Sequence, residues 1–141
     1  MNKNLEISEL DRKYLRLACD IASENIDKGG GPFGAVIVKD GRLISTGGDT
    51  VAIDNDPTAH AEINAIRRAC SQMSDFKLEG CVVYSSCEPC PMCLSALHLA
   101  GVSRIYYANT KHDVSEICKS YVERSIPCVH IDDPHTIDHF N

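Results

Sequence analysis

Along the first thirty residues the apolar positions recur at helical spacing. Leu10, Tyr14, Leu17 and Ile21 share a face, which predicts an amphipathic helix over 9–28. Ser8 and Asp11 make a capping-box pattern at its start, and the Gly-Gly-Gly-Pro run at 29–32 ends it. The period then shortens. "FGAVIVKDGRLISTG" from Phe33 to Gly47 predicts a hairpin turning at Asp40–Gly41, followed by a polar loop over 48–56. Asp56 before Pro57 predicts the cap and first position of a second helix, with Ile63, Ile66, Ala69 and Cys70 on its apolar face. "CVVYSS" at 81–86 is almost continuously apolar, as a central strand covered on both faces would be. Pro91 opens a third helix running to Leu99, and "RIYYA" at 104–108 predicts a fourth strand. A fourth helix over 113–121 and a fifth strand, "CVHI" at 128–131, complete the pattern.

The predicted order is α-β-β-α-β-α-β-α-β, and such alternation places helices on both sides of a sheet. The strands at 81–86 and 104–108 flank a helix and so are expected parallel, whereas the hairpin is antiparallel. The expectation is an α/β protein: a three-layer α/β/α sandwich around a mixed, five-stranded sheet. With 141 residues, 43% of them hydrophobic, the chain suits one domain with its own core. Runs such as "AVIV" at 35–38 are too short to span a bilayer. The polar, acidic N-terminus resembles neither a signal nor a transit peptide, so a cytoplasmic location is expected. The net charge is −6, and no basic run exceeds the pair Arg67–Arg68. Phosphate backbones are bound by clustered lysine and arginine. A nucleic-acid partner is therefore disfavoured, and a small, neutral substrate fits better.

Eight cysteines in a chain without a secretory signal argue against a disulfide framework. Cys19, Cys70 and Cys81 sit among apolar residues and read as buried thiols, and Cys118 and Cys128 carry no pattern. Only "SSCEPCPMCLS" at 85–95 clusters them, at Cys87, Cys90 and Cys93. An iron–sulfur run needs a fourth cysteine where Leu97 stands. A structural, metal-free cluster stays open at this point. Zinc needs about four ligands, one of them water in a catalytic site. Cys90 as a helix N-cap and Cys93 in the first turn place two thiols where unpaired amides and the helix dipole favour the thiolate. Cys87, before the turn, reads as a packed thiol facing away. Among the histidines, His98, His112, His130, His135 and His139 have no clear partners, whereas His60 stands at the start of the second helix in "NDPTAHAEINAIR". Together "HAE" at 60–62 and "PCPMC" at 89–93 match the His-x-Glu and Pro-Cys-x-x-Cys signature of zinc deaminases, in which the glutamate moves protons without binding metal.

The blocks "GGPFGAVIVKDG" at 30–41, "NDPTAHAE" at 55–62 and "SCEPCPMC" at 86–93 resemble the cytidine deaminase superfamily, most closely its branch of bacterial guanine deaminases. The likeness spans roughly residues 9–110. tRNA adenosine deaminases and cytosine deaminases carry similar blocks. The resemblance implies zinc held by His60, Cys90 and Cys93 with water as fourth ligand, Glu62 as proton shuttle, and hydrolytic loss of ammonia from a free nucleobase. It places the backbone amides of Ala61 and Cys90 at the reacting centre and Phe33 in the wall of the base pocket. Dimers are usual in the family, so a homodimer is implied here. Guanine, giving xanthine, is the leading substrate. Another amino-heterocycle, tRNA adenosine and a non-catalytic zinc module are the alternatives.

Two departures from the family pattern bear on the substrate. Asp49 stands where the family usually carries an asparagine that bonds the base; an ionised aspartate only accepts. The acidic segment after the fourth strand is shorter than the pattern and leaves Asp113 and Glu116 as its acidic residues. Asp113 is accordingly a candidate base contact, and the tail over 132–141, through Phe140, a candidate cap on the site.

Overall fold

A computed structural model of the chain describes residues 6–118 and 126–134. Helix α1 spans Glu9–Asp27 and begins as expected: the Ser8 hydroxyl accepts from the Asp11 amide at 3.0 Å, and the Asp11 carboxylate accepts from the Ser8 amide at 2.9 Å. Strands β1 (Gly31–Lys39) and β2 (Arg42–Asp49) form the antiparallel hairpin, with Asp40 and Gly41 both at positive φ in its turn. A one-turn helix α2 (Val51–Asp54) occupies part of the segment expected to be loop. Then follow α3 (Ala61–Met73), β3 (Cys81–Cys87), α4 (Pro91–Ala100) and β4 (Arg104–Asn109).

The sheet runs β2-β1-β3-β4, with β1 antiparallel to both β2 and β3 and β3 parallel to β4. It is mixed, as expected, but has four strands among the described residues, not five. "CVHI" forms no ladder; Val129 and Ile131 are 83% and 79% exposed. Its β-branched alternation is only a local preference, and among the described residues it pairs with no strand. The fourth helix is likewise reduced, within the described part, to turns closed by bonds from the Ile117 and Cys118 amides to the Val114 carbonyl.

Alternation along β1 divides the core in two. Ala35 and Ile37 face α3 and α4, packing with Ala61, Ala65, Ala69 and Leu97; Val36 and Val38 face α1, packing with Tyr14, Ala18 and Tyr84. Helices therefore cover both faces, which makes three layers. The buried alanines at 61, 65 and 69 let α3 lie close to the sheet, with Ile66 and Met73 packed at the margin of the same cluster. Opposite them stands Gly47, where an added Cβ would lie 2.6 Å from the Ala65 amide and collide with the Ala61 carbonyl. The Ser45 hydroxyl donates to the Ala65 carbonyl at 2.8 Å and ties the same helix to β2. Backbone meets backbone here. No described helix is long and apolar enough to cross a membrane.

On the other face, Asp11 serves two elements at once. One carboxylate oxygen closes the α1 capping box; the other accepts from the Tyr84 hydroxyl of β3 at 2.6 Å. Burial pushes the Asp11 carboxyl up, but the bonds from Tyr84 and Ser8 and the Arg104 charge together hold it below its ordinary value. A depressed carboxyl contributes stability above the unfolded-state pKa, and loses it as pH falls through the folded-state value. Tyr84→Phe is expected to cost about 1.5 kcal/mol near neutrality. The deficit should shrink on acidification, as read from urea midpoints at several pH values.

Candidate metal centre and active site

Three chain segments end at one edge of the sheet: β1 begins there at Gly31, β2 stops at Asp49 and β3 stops at Cys87. The amino ends of α3 and α4 meet at that edge. Pro91 is the first helical residue of α4 and Cys90 its N-cap, as the spacing predicts. At α3 the expectation shifts. The helix begins at Ala61, with His60 in extended geometry (φ −69, ψ 161) as its N-cap. Asp56 caps nothing helical; its carboxylate accepts from the Thr58 amide and hydroxyl at 2.9 and 2.7 Å, closing a local turn. The Thr50 amide donates to the Ala59 carbonyl at 2.9 Å and holds the following residues against the end of β2. Asp-Pro signals turns as well as helix starts, and here the turn wins.

Neither N-cap side chain makes a capping bond. Both point instead at a common centre. His60 Nδ1 lies 3.6 Å from Cys90 Sγ and 3.4 Å from Cys93 Sγ, and one donor atom from each of the three residues falls within 4.8 Å of the others. A tetrahedral zinc with ordinary Zn–S and Zn–N bonds holds its sulfur and nitrogen ligands about 3.6 Å apart. The two nitrogen–sulfur separations fit that ion, and a Cys2His set is soft enough to prefer it. The bond from Cys93 holds Cys90 far down, at about 4, while the Cys90 thiolate pushes Cys93 strongly up. His60 is raised chiefly by its bond to Cys90. Two thiols and an imidazole sharing protons this closely are bound as a unit.

The triad opens on a cavity of about 190 Å³. Phe33, Asp49, Ala61 and Glu62, each anticipated from the resemblance, are brought to its wall beside His60 and Cys90. Glu62 is only 7% exposed, and burial pushes its carboxyl up to about 7. Asp113 is not among the lining residues. It is exposed, and its carboxylate accepts from the Thr110 amide at 2.8 Å. Phe140 lies outside the described residues. Cys87 is buried, as expected of a packed thiol, yet it lines the cavity rather than facing away; burial lifts it to about 11. The sequence reading also missed Val51, Ser85, Glu88, Ile117 and Cys118 in the lining. Glu88 stands inside the cysteine block, and only its neighbours could have pointed to it. Ile117 and Cys118 carry no local signal, because only the turn after β4 returns them to the site.

The chain belongs to the cytidine and deoxycytidylate deaminase family, whose zinc-binding region matches residues 8–109. It is thus a zinc-dependent deaminase, and its His60, Cys90 and Cys93 are in position to hold the metal. Among its relatives is a guanine deaminase of Bacillus subtilis, 45% identical over 126 residues, covering 81% of each chain. The solved guanine deaminase structure from that species superposes with a TM-score of 0.85 at 40% identity, over 92% of this chain and 90% of that one. A guanine deaminase structure from Nitrosomonas europaea gives 0.76 at 26% identity, covering 86% and 69%. A tRNA-specific adenosine deaminase of Aquifex aeolicus is 41% identical over 95 residues, covering 67% of this chain and 63% of its own.

Cys93→Ala is expected to lower zinc affinity at least tenfold, and Cys87→Ser to leave it unchanged, because the Cys87 thiol stands outside the three-atom cluster. Metal content after dialysis against a graded chelator measures both.

Proposed function

We propose that this chain deaminates guanine hydrolytically, converting guanine and water to xanthine and ammonia. The observation that carries the reading is the buried Glu62 carboxylate, facing a base-sized cavity beside the His60–Cys90–Cys93 cluster. The choice of base is supported by the Bacillus subtilis guanine deaminase, alike in sequence and in fold.

His60, Cys90 and Cys93 would hold the zinc, which when bound supplies Lewis-acid activation of water at neutral pH. The remaining work belongs to protein groups. Glu62 takes the proton of the attacking water as the new C–O bond forms at the ring carbon bearing the amine. It passes that proton to the adjoining ring nitrogen, then takes the proton of the newly added hydroxyl and delivers it to the amine, so that the C–N bond breaks, the carbonyl forms and ammonia leaves as a neutral molecule. The Ala61 and Cys90 amides stand at the amino ends of α3 and α4, where helix dipoles favour charge building on oxygen. Phe33 offers a ring face to the flat base. The core, four-stranded among the described residues, and these groups support reading the chain as a single deaminase domain over 1–141. A homodimer is supported by Phe76 and Leu99, 80% and 76% exposed beside an apolar groove between α3 and α4.

Ammonia release from a panel of guanine, cytosine, adenine, adenosine and a triazine is expected to be greatest with guanine. Preference for any other base sinks that assignment. Glu62→Gln should keep zinc and fold while turnover falls by about 10² to 10⁴. An unchanged rate would remove Glu62 from the chemistry.

A further inference from the structure

One wall of the cavity is supplied by neither helix nor strand. Past the end of β4 the chain runs through turns over 110–118, and Ile117 and Cys118 line the cavity opposite the sheet's own residues. The turns are closed locally. The Asp113 carboxylate accepts from the Thr110 amide at 2.8 Å, and the Ile117 and Cys118 amides donate to the Val114 carbonyl at 2.9 and 2.8 Å. Within 110–117 only Val114 is buried. A segment with so little packing is weakly held, so its placement relies on the bonds at its root. Those bonds belong to Glu88. Its amide donates to the Asn109 carbonyl at 2.7 Å, and its Oε1 accepts from the Lys111 amide at 3.0 Å. One residue thus grips the chain on both sides of Thr110. Glu88 is half-buried, lines the cavity itself, and stands two residues before Cys90.

We infer that Glu88 is a positioning residue: its Oε1 pins the 110–118 turns to the loop that carries Cys90, and so sets the shape of the cavity and its affinity for the base. The role asks for an acceptor oxygen at this point, not for a charge. Asp113, exposed and away from the cavity, closes the first of the same turns and serves the same wall. The inference rests on the nucleobase deaminase reading above and adds how the base cavity is held in shape.

Two substitutions separate acceptor from charge. Glu88→Gln keeps an oxygen for the Lys111 amide, whereas Glu88→Ala removes it. For the base the wild type turns over fastest, Glu88→Ala should raise KM about tenfold and leave kcat within about threefold. Its zinc content and unfolding midpoint should match the wild type, and Glu88→Gln should match it in every respect. Cys118 reports on the wall without any substrate. In the zinc-loaded protein its alkylation by iodoacetamide, located by peptide mass spectrometry, should be about fivefold faster in Glu88→Ala and unchanged in Glu88→Gln. Asp113→Ala should move KM and Cys118 alkylation in the same directions, and it decides the matter if Glu88→Ala does not fold. A merely structural Glu88 would lower midpoint and zinc content and shift kcat with KM; that result overturns the proposal. An unchanged KM overturns it too, as does a Glu88→Gln protein that behaves like Glu88→Ala, since charge would then be what matters. If the wild type deaminates no base, the reading above fails, while Cys118 alkylation still decides whether Glu88 holds the wall.

Discussion

The close approach of α3 to β2 is the constraint on which the site depends. At Gly47 no side chain separates helix from strand, and the Ala61 carbonyl and Ala65 amide sit where a methyl group would have to go. The buried alanines of α3 and the Ser45 bond to Ala65 maintain the contact. Because the helix axis is fixed at this short distance, its amino end has one place to be. His60 and Glu62 are carried by that end. A helix lifted by one methyl group would shift both, and interiors packed at crystal density do not absorb such a shift freely.

The second partner, α4, is positioned by different means. Cys90 follows directly on the end of β3, and the loop between them is braced from β4: the Glu88 amide donates to the Asn109 carbonyl at 2.7 Å, and Asn109 Nδ2 to the Ser86 carbonyl at 2.8 Å. The parallel pairing of β3 with β4 thus reaches the metal centre through one asparagine. Three donor atoms from two helices converge because both helices start at the same end of one sheet. This is how α/β folds in general build sites, from loops at strand ends on a rigid frame.

Most of this was legible in the residues. Period, turn chemistry and capping signals located α1, the hairpin, β3, α4 and β4, because each has a strong local cause: the Ser8–Asp11 box, Asp40–Gly41, the apolar run at 81–86 and Pro91. The paired motifs identified the triad, since few other chemistries require those residue types at that spacing. What failed was decided at a distance. Asp56–Pro57 carries a helix-start signal, but Thr58 captured the carboxylate and the Thr50–Ala59 bond moved the helix start to Ala61. "CVHI" has strand propensity, but among the described residues it pairs with no strand. Asp113 was placed by motif length alone, and its carboxylate is spent on its own turn. Ile117 and Cys118 reach the cavity only because a turn folds back, which no periodicity encodes.

The ligating side chains occupy the two positions where serine, threonine or aspartate would ordinarily seal a helix end. His60 and Cys90 make no side-chain capping bond there and turn inward. An ion held by both would therefore tie the two helix starts to each other. The metal that supplies the chemistry would thus also serve as a clasp between two elements of the architecture.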